Sequence, residues 1–223
     1  MSHIQIAIDG PSGAGKSSLS RAVARSLGII YVDTGALYRT VGYYARSKGI
    51  SLENIADIIP HLGNITIEVK YENGIQCVYL NGENLGDRIR ENEISMYASK
   101  VSAVPAVRAF LLDTQKDIAR KNSVIMDGRD IGTVILPNAD VKFFVTVSDR
   151  ERARRRYMEL IAKGENTTEE EVYEAMKARD LQDSTREIAP AIPADDAIFL
   201  DNSGDFDTVI ATALAIIQQK TKN

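Results

Sequence analysis

The run Gly10-Pro11-Ser12-Gly13-Ala14-Gly15-Lys16-Ser17 constrains this chain more than any other stretch. It fits G-x-x-x-x-G-K-[S/T], a phosphate-binding loop that works only between a strand and a helix. Both neighbours are present. Ile4-Gln5-Ile6-Ala7-Ile8 reads as a buried strand, and Ser18 to Leu27 reads as a helix with Leu19, Ala22, Val23 and Leu27 on one face. Glycines let the backbone wrap an anion, so that amide N–H groups converge on its oxygens at the positive end of the helix. In such a loop Lys16 adds a point charge for the β- and γ-phosphates, and the Ser17 hydroxyl is a ligand for Mg²⁺.

The rest of the chain repeats the strand-then-helix order. Five short apolar runs have the character of buried parallel strands: Ile4–Ile8, Ile29–Val32, Val124–Met126, Val141–Val147 and Ala197–Leu200. Helical patterns follow or separate them at Lys16–Leu27, Ala36–Lys48, a long region Glu91–Lys121, Ser148–Lys163 and Asp205–Lys220. The alternation predicts an α/β fold, a parallel sheet flanked by helices. Ser148 with Glu151 and Thr168 with Glu171 fit the capping box, while Gly28 and Gly49 sit where helices end.

One segment departs from that rhythm. Ile65-Thr66-Ile67-Glu68-Val69 alternates strictly, and Asn73-Gly74 and Asn81-Gly82 are hairpin-turn pairs. They predict a small antiparallel meander inserted at 61–88, with Cys77 and Tyr79 placed on opposite faces and neither given a catalytic role.

Composition narrows the function classes. The chain has 223 residues, 44% of them apolar and 26% charged, and a net charge of −4, which argues against broad nucleic-acid binding. No apolar run approaches the roughly 18–20 residues that span a bilayer. The first strand begins at once, leaving no signal peptide, and a cytoplasmic protein is expected. The single cysteine, Cys77, excludes an internal disulfide, and His3 and His61 fit no ligand or triad pattern. With no heptad run and no large apolar helix face, a monomer is expected.

Local charge points to a small polyanion. Arg150, Arg152, Arg154, Arg155 and Arg156 fall within seven residues, with Arg152 and Arg156 on one helical face. A solvated face tempered by Glu151 and Glu159 is the plainer alternative to an arginine clamp on transferring phosphates. Asp33-Thr34-Gly35 follows the second strand, with Arg39 one helical turn further on. Asp127-Gly128-Arg129-Asp130 follows Val124-Ile125-Met126, a Walker B pattern whose carboxylate holds Mg²⁺ directly or through water. Arg179, Asp183 and Arg186 are spaced to share one face of a helix, which is also the spacing of a plain salt-bridge ladder.

Taken in order, Gly10–Ser17, Asp33-Thr34-Gly35-Ala36-Leu37-Tyr38-Arg39, Ser99 with Val104-Pro105-Ala106-Val107-Arg108, Asp127-Gly128-Arg129-Asp130-Ile131-Gly132-Thr133 and Arg179–Arg186 resemble the bacterial cytidylate kinases over essentially the whole chain. The resemblance implies a P-loop NTPase core with a five-stranded parallel sheet. It places the core at 1–40, 105–147 and 187–223, a monophosphate-binding subdomain at 41–104, and a lid at 148–165. It also implies ATP at Gly10 to Ser18 and Arg155. Thr34, Arg39, Arg129, Arg179 and Arg186 would surround the CMP phosphate, and Asp183 would hold the ribose hydroxyls. Ser99, Arg108 and Asp130 would read the cytosine, and Arg152, Arg155 and Arg156 would close over the ATP phosphates. Lys16, Arg129, Arg152, Arg156 and Arg179 form the implied catalytic set. Mg²⁺ would be held by Ser17, with Asp33 and Asp127 acting through water. Thr34 stands where some relatives carry serine, keeping the hydroxyl.

The implied reaction moves the γ-phosphoryl group of ATP to CMP or dCMP, with no nucleic-acid polymer and no membrane as partner. A kinase for shikimate or another nucleotide is the nearest rival, and it needs neither the cytosine reader nor the insertion. A GTP-dependent switch needs an Asn-Lys-x-Asp segment, which this chain lacks.

Overall fold

The computed structural model describes residues 3–72 and 74–221, so Asn73 of the expected Asn73-Gly74 turn lies outside the described residues. Two compact units are present. One joins the residues up to Ile29 with those from Ser123 onward, and the other is Ile30–Asn122.

In the first unit β1 (Gln5–Asp9) leads through the phosphate loop into α1 (Lys16–Leu27). Ile6, Ala7 and Ile8 are fully buried, as expected of a strand covered on both faces. Gly28 ends α1 in a left-handed conformation, so the helix stops where the sequence suggested. The second unit opens with β2 (Ile30–Asp33) and α2 (Thr34–Ser47). A 3-10 stretch, Ile55–Asn64, then leads to β3 (Ile67–Glu72), β4 (Ile75–Leu80) and the short β5 (Glu83–Asn84). These form the antiparallel meander, with β4 in the middle.

The meander's inner face carries Val78 and Leu80, buried in a cluster with Val41, Ile58, Ile65 and Ile94. Cys77 and Tyr79 therefore share the other face, correcting the expectation of opposite faces: residues two apart on a strand point the same way. The helical region 91–121 is two helices, α3 (Asn92–Ser102) and α4 (Pro105–Lys121). Pro105 explains the break, because it cannot continue α3 yet suits the first turn of α4.

The chain returns to the first unit with β6 (Val124–Asp127), a five-residue π-turn at Ile131–Ile135, and β7 (Val141–Thr146). Then come α5 (Asp149–Ala162), α6 (Glu169–Thr185), β8 (Ile198–Asp201) and α7 (Phe206–Thr221). The parallel sheet has the order β2-β6-β1-β7-β8, with Ile6 opposite Ile125 on one side and Val141 on the other. Strand order thus reverses around β1, and ligands of open α/β sheets bind outside the carboxyl ends of strands at such a point.

Helices α5 and α6 pair through Ala153, Leu160, Val172 and Met176. At Thr168 both halves of the capping box form. At Ser148 the hydroxyl accepts from the Glu151 amide, but the Glu151 carboxylate is engaged by Arg155 instead. Segments 30–40 and 105–122, expected with the core, cluster with the insertion-bearing unit. No helix among the described residues is long and apolar enough to cross a membrane.

Candidate active site

The phosphate loop bends from β1 into α1 through Gly10 and Gly15, whose φ values of 144° and 82° suit glycine. A Cβ at Gly15 would fall on the amide nitrogen of Asn202. That amide donates to the Ala14 carbonyl at 2.8 Å, and Asn202 is buried. At the other end of the loop, the Ser12 amide donates to Asp180 Oδ1 at 3.1 Å. Two side chains distant in sequence therefore clasp the loop.

Lys16 is buried, and its ammonium donates to the Pro11 carbonyl at 2.7 Å. Burial drives its pKa well below the ordinary lysine value, and the charges of Arg129 and Arg179 push the same way while Asp127 and Asp9 oppose them. Three cations thus crowd the loop. An anion there relieves the crowding.

Ser17 Oγ donates to Asp127 Oδ2 at 2.6 Å, joining the first turn of α1 to the end of β6. Both supply hard oxygen ligands of the kind magnesium takes. Among the described residues no group of three or more His, Cys, Asp or Glu side chains is arranged to hold a metal. One carboxylate and one hydroxyl suit magnesium, which keeps waters and takes phosphate oxygens for the remaining positions.

Asp9, buried at the end of β1, was not singled out by the sequence. Its Oδ1 accepts from the Ile131 amide at 2.9 Å and its Oδ2 from the Gly132 amide at 2.7 Å. Burial raises its pKa to about 6 against those two bonds. Asp9 thereby anchors the turn that directly follows Arg129 and Asp130.

Arg129 Nε donates to Asp183 Oδ2 at 3.1 Å, and Arg186 reaches Asp130 Oδ1 at 3.4 Å and Asp183 Oδ1 at 3.9 Å. Arg186 is not on the helical face with Arg179 and Asp183, as its spacing suggested. Helix α6 stops at Thr185, and Arg186 adopts an extended backbone. The Asp183 carbonyl bonds the Ala191 amide while Arg186 Nε donates to the Ala189 carbonyl, so the chain turns back and the guanidinium still meets Asp183.

The arginine run is partly neutralised. Arg152 lies 3% exposed, donating to Asp149, Asp180 and the Ser12 carbonyl. Arg155 donates to Glu151 and the Asn202 carbonyl, Arg156 to Glu159, and Arg150 pairs with Glu170 over the Tyr173 ring.

The second unit holds the other expected residues. Asp33 caps α2 by accepting from the Ala36 amide at 3.0 Å and pairs with Arg39 at 2.6 Å, so each oxygen already has a partner. Gln76 of β4 holds the Asp33 backbone from both sides, accepting from its N–H at 2.7 Å and donating to its carbonyl at 3.2 Å. Thr34 is buried at the start of α2. Arg108 lies over the Tyr38 ring and donates to the Ser102 carbonyl, while the Ser102 hydroxyl donates to the Ser99 carbonyl. Ser99 and Arg108 are thus linked through the end of α3.

A lysine-bearing phosphate loop bonded to a strand-end aspartate, set where a parallel sheet reverses its order, defines a P-loop nucleotide-binding protein. The family can be stated more closely. Residues 6–219 match the cytidylate kinase family model, and the chain belongs to that family. It is 43% identical over 224 residues to the cytidylate kinase of Caldicellulosiruptor bescii, covering 100% of this chain and 99% of that protein. It is 47% identical over 203 residues to the cytidylate kinase of Pseudothermotoga lettingae, covering 91% and 88%. Among solved structures, an uncharacterized protein from Eubacterium ventriosum aligns over 97% of this chain and 99% of its own, with a TM-score of 0.52 at 14% identity. That likeness is one of fold.

Proposed function

We infer that this chain transfers the γ-phosphoryl group of ATP to CMP and dCMP, giving ADP with CDP or dCDP. The buried Lys16 ammonium carries the reading from the structural side: burial and the charges of Arg129 and Arg179 disfavour its charged form, and an anion bound beside it restores that form. Family membership supplies the base.

An oxygen of the acceptor phosphate attacks the γ-phosphorus, the bond to the β–γ bridging oxygen breaks, and ADP leaves with that oxygen. The acceptor is already an anion, so no covalent enzyme intermediate and no strong general base are needed. Positioning and charge neutralisation do the work. Lys16 and the loop amides hold the donor phosphates, and Arg129 and Arg179 take up charge on the transferring group. Thr34, Arg39 and Arg186 meet the acceptor phosphate, Asp183 the ribose, and Ser99, Arg108 and Asp130 the cytosine. Arg152, Arg155 and Arg156 serve the donor side.

Magnesium fits the Ser17–Asp127 pair, and when bound it neutralises phosphate charge as a Lewis acid. Asp33 would have for a metal's water only the lone pairs that Ala36 and Arg39 leave over.

The test is a phosphoryl-transfer panel with ATP and each of CMP, dCMP, UMP, AMP, GMP and shikimate. Turnover is expected to be highest in kcat/KM for the two cytidine monophosphates. Preference for any other acceptor sinks the assignment.

A further inference from the structure

We propose that Asp180 is a positioning residue for the ATP side of the reaction, tying Arg152 to the phosphate loop. The proposal rests on the kinase reading above and names a residue that neither the motif nor the spacing singled out.

Asp180 sits on α6 and uses both carboxylate oxygens on groups 28 and 168 residues away. Oδ1 accepts from the Ser12 amide at 3.1 Å, and Oδ2 accepts from Arg152 Nη1 at 2.6 Å. The same Nη1 donates to the Ser12 carbonyl at 2.7 Å. Ser12 is therefore held through both its amide and its carbonyl, by a carboxylate and a guanidinium that also hold each other. Asp149 completes the set by accepting from Arg152 Nη2 at 2.6 Å.

A plain surface ion pair does not look like this. The Arg152 side chain is 4% exposed and that of Asp180 21%, so the pair is shielded from water and salt. Three elements meet at one carboxylate: the phosphate loop, α5 and α6. Met176, one turn before Asp180 on α6, lies against Gly13, so packing reinforces the same junction. Fixing Arg152 against the loop removes two freedoms that ATP binding must otherwise restrict, the rotamers of a long side chain and the path of the backbone at Ser12. Because Asp180 contacts the loop rather than the acceptor residues, its effect belongs to ATP and not to CMP.

The experiment compares Asp180→Asn, Asp180→Glu, Arg152→Gln and the double variant Asp180→Asn/Arg152→Gln by steady-state kinetics. ATP is varied at saturating CMP, then CMP at saturating ATP, below the melting temperature of each variant. Wild-type turnover with ATP and CMP tests the kinase reading separately. Asp180→Asn keeps an oxygen for the Ser12 amide but turns an uncharged donor toward Arg152. It should raise the KM for ATP about tenfold, equivalent to 1.4 kcal/mol, with the KM for CMP within about twofold. Asp180→Glu, which keeps the charge, should recover most of the loss. The double variant should bind ATP no worse than Arg152→Gln alone, since Asp180 acts through Arg152.

A lower melting temperature with both KM values unchanged makes Asp180 a structural residue and overturns the proposal. So does an equal rise in both KM values, or full additivity in the double variant. If Asp180→Asn fails to fold, Asp180→Glu decides by the same split: a rise in the ATP value alone supports the proposal, and equal changes or none overturn it.

Discussion

Ser17 Oγ and Asp127 Oδ2 stand 2.6 Å apart although 110 residues separate them in sequence. The contact joins the phosphate loop to the end of the neighbouring strand, a consequence of the pairing of β1 with β6. Asp127→Asn should preserve the fold, since an amide oxygen still accepts from the hydroxyl. It should weaken the apparent affinity for magnesium by about 10–100-fold, the scale for losing a partner around a metal. Titration of activity with MgCl₂ at fixed ATP and CMP checks this. An unchanged magnesium midpoint removes Asp127 from the metal's surroundings.

Lys16 is expected to matter for rate and not for stability. Its ammonium is buried among Arg129 and Arg179, and its pKa is held well below the ordinary value, so the empty protein gains little from that charge. Lys16→Ala should leave the melting temperature near wild type or above it while lowering kcat by on the order of a hundredfold or more, the range for losing a charge-stabilising donor. Calorimetry and steady-state kinetics on the same preparation test both halves. A folded variant with near-normal turnover ends the catalytic assignment.

The legible parts of this protein were those encoded within a few residues. The loop from Gly10 to Ser17, the strand ending at Asp127 and the turn pair Asn81-Gly82 each announce a local geometry, and the strands and helices they predict form within a residue or two. The boundary at Pro105 was also written locally, but the apolar pattern continues across it and masks the break. Partnerships made across the fold carry no such mark. Asp9 bonds amides more than 120 residues away, Asn202 reaches Ala14, and Gln76 holds Asp33. An aspartate before a glycine or a glutamine in a strand has many ordinary uses, and only the topology selects this one. Arg186 shows the opposite error: a spacing of seven suggested one helix face, yet the helix stops one residue earlier.

Asp9 gives stability a distinct pH dependence. Its pKa is about 6 in the folded protein, raised by burial above the ordinary value of 3.8. Between those two values the folded state binds a proton that the unfolded chain does not, so this group's contribution falls as pH rises and is least favourable above pH 6. From pH 5 to pH 7 the change attributable to Asp9 is about 1 kcal/mol. Urea unfolding of wild type and Asp9→Asn at both values isolates it, because other titrating groups cancel in the difference. Wild type should gain relative to the variant at pH 5. A difference that does not move with pH means the carboxyl titrates elsewhere.

The role proposed for Asp130 makes charge the means by which the acceptor's base is read. In this structure it accepts from Arg186 at 3.4 Å and is 4% exposed. Cytosine presents an amino donor where uracil presents a carbonyl, so a carboxylate there favours the first and repels the second. Asp130→Asn keeps the shape and removes the charge, and its amide can turn a donor outward. CMP should lose roughly 1–3 kcal/mol of binding, the scale for losing a hydrogen bond to a charged group. UMP should lose less, or gain, because the repulsion has gone. The ratio of kcat/KM for CMP over UMP is the quantity to follow, since discrimination resides in it. A fall of about tenfold or more, 1.4 kcal/mol, is the expected result. An equal loss for both substrates instead makes Asp130 the structural partner of Arg186, and leaves base selection to Ser99 and Arg108.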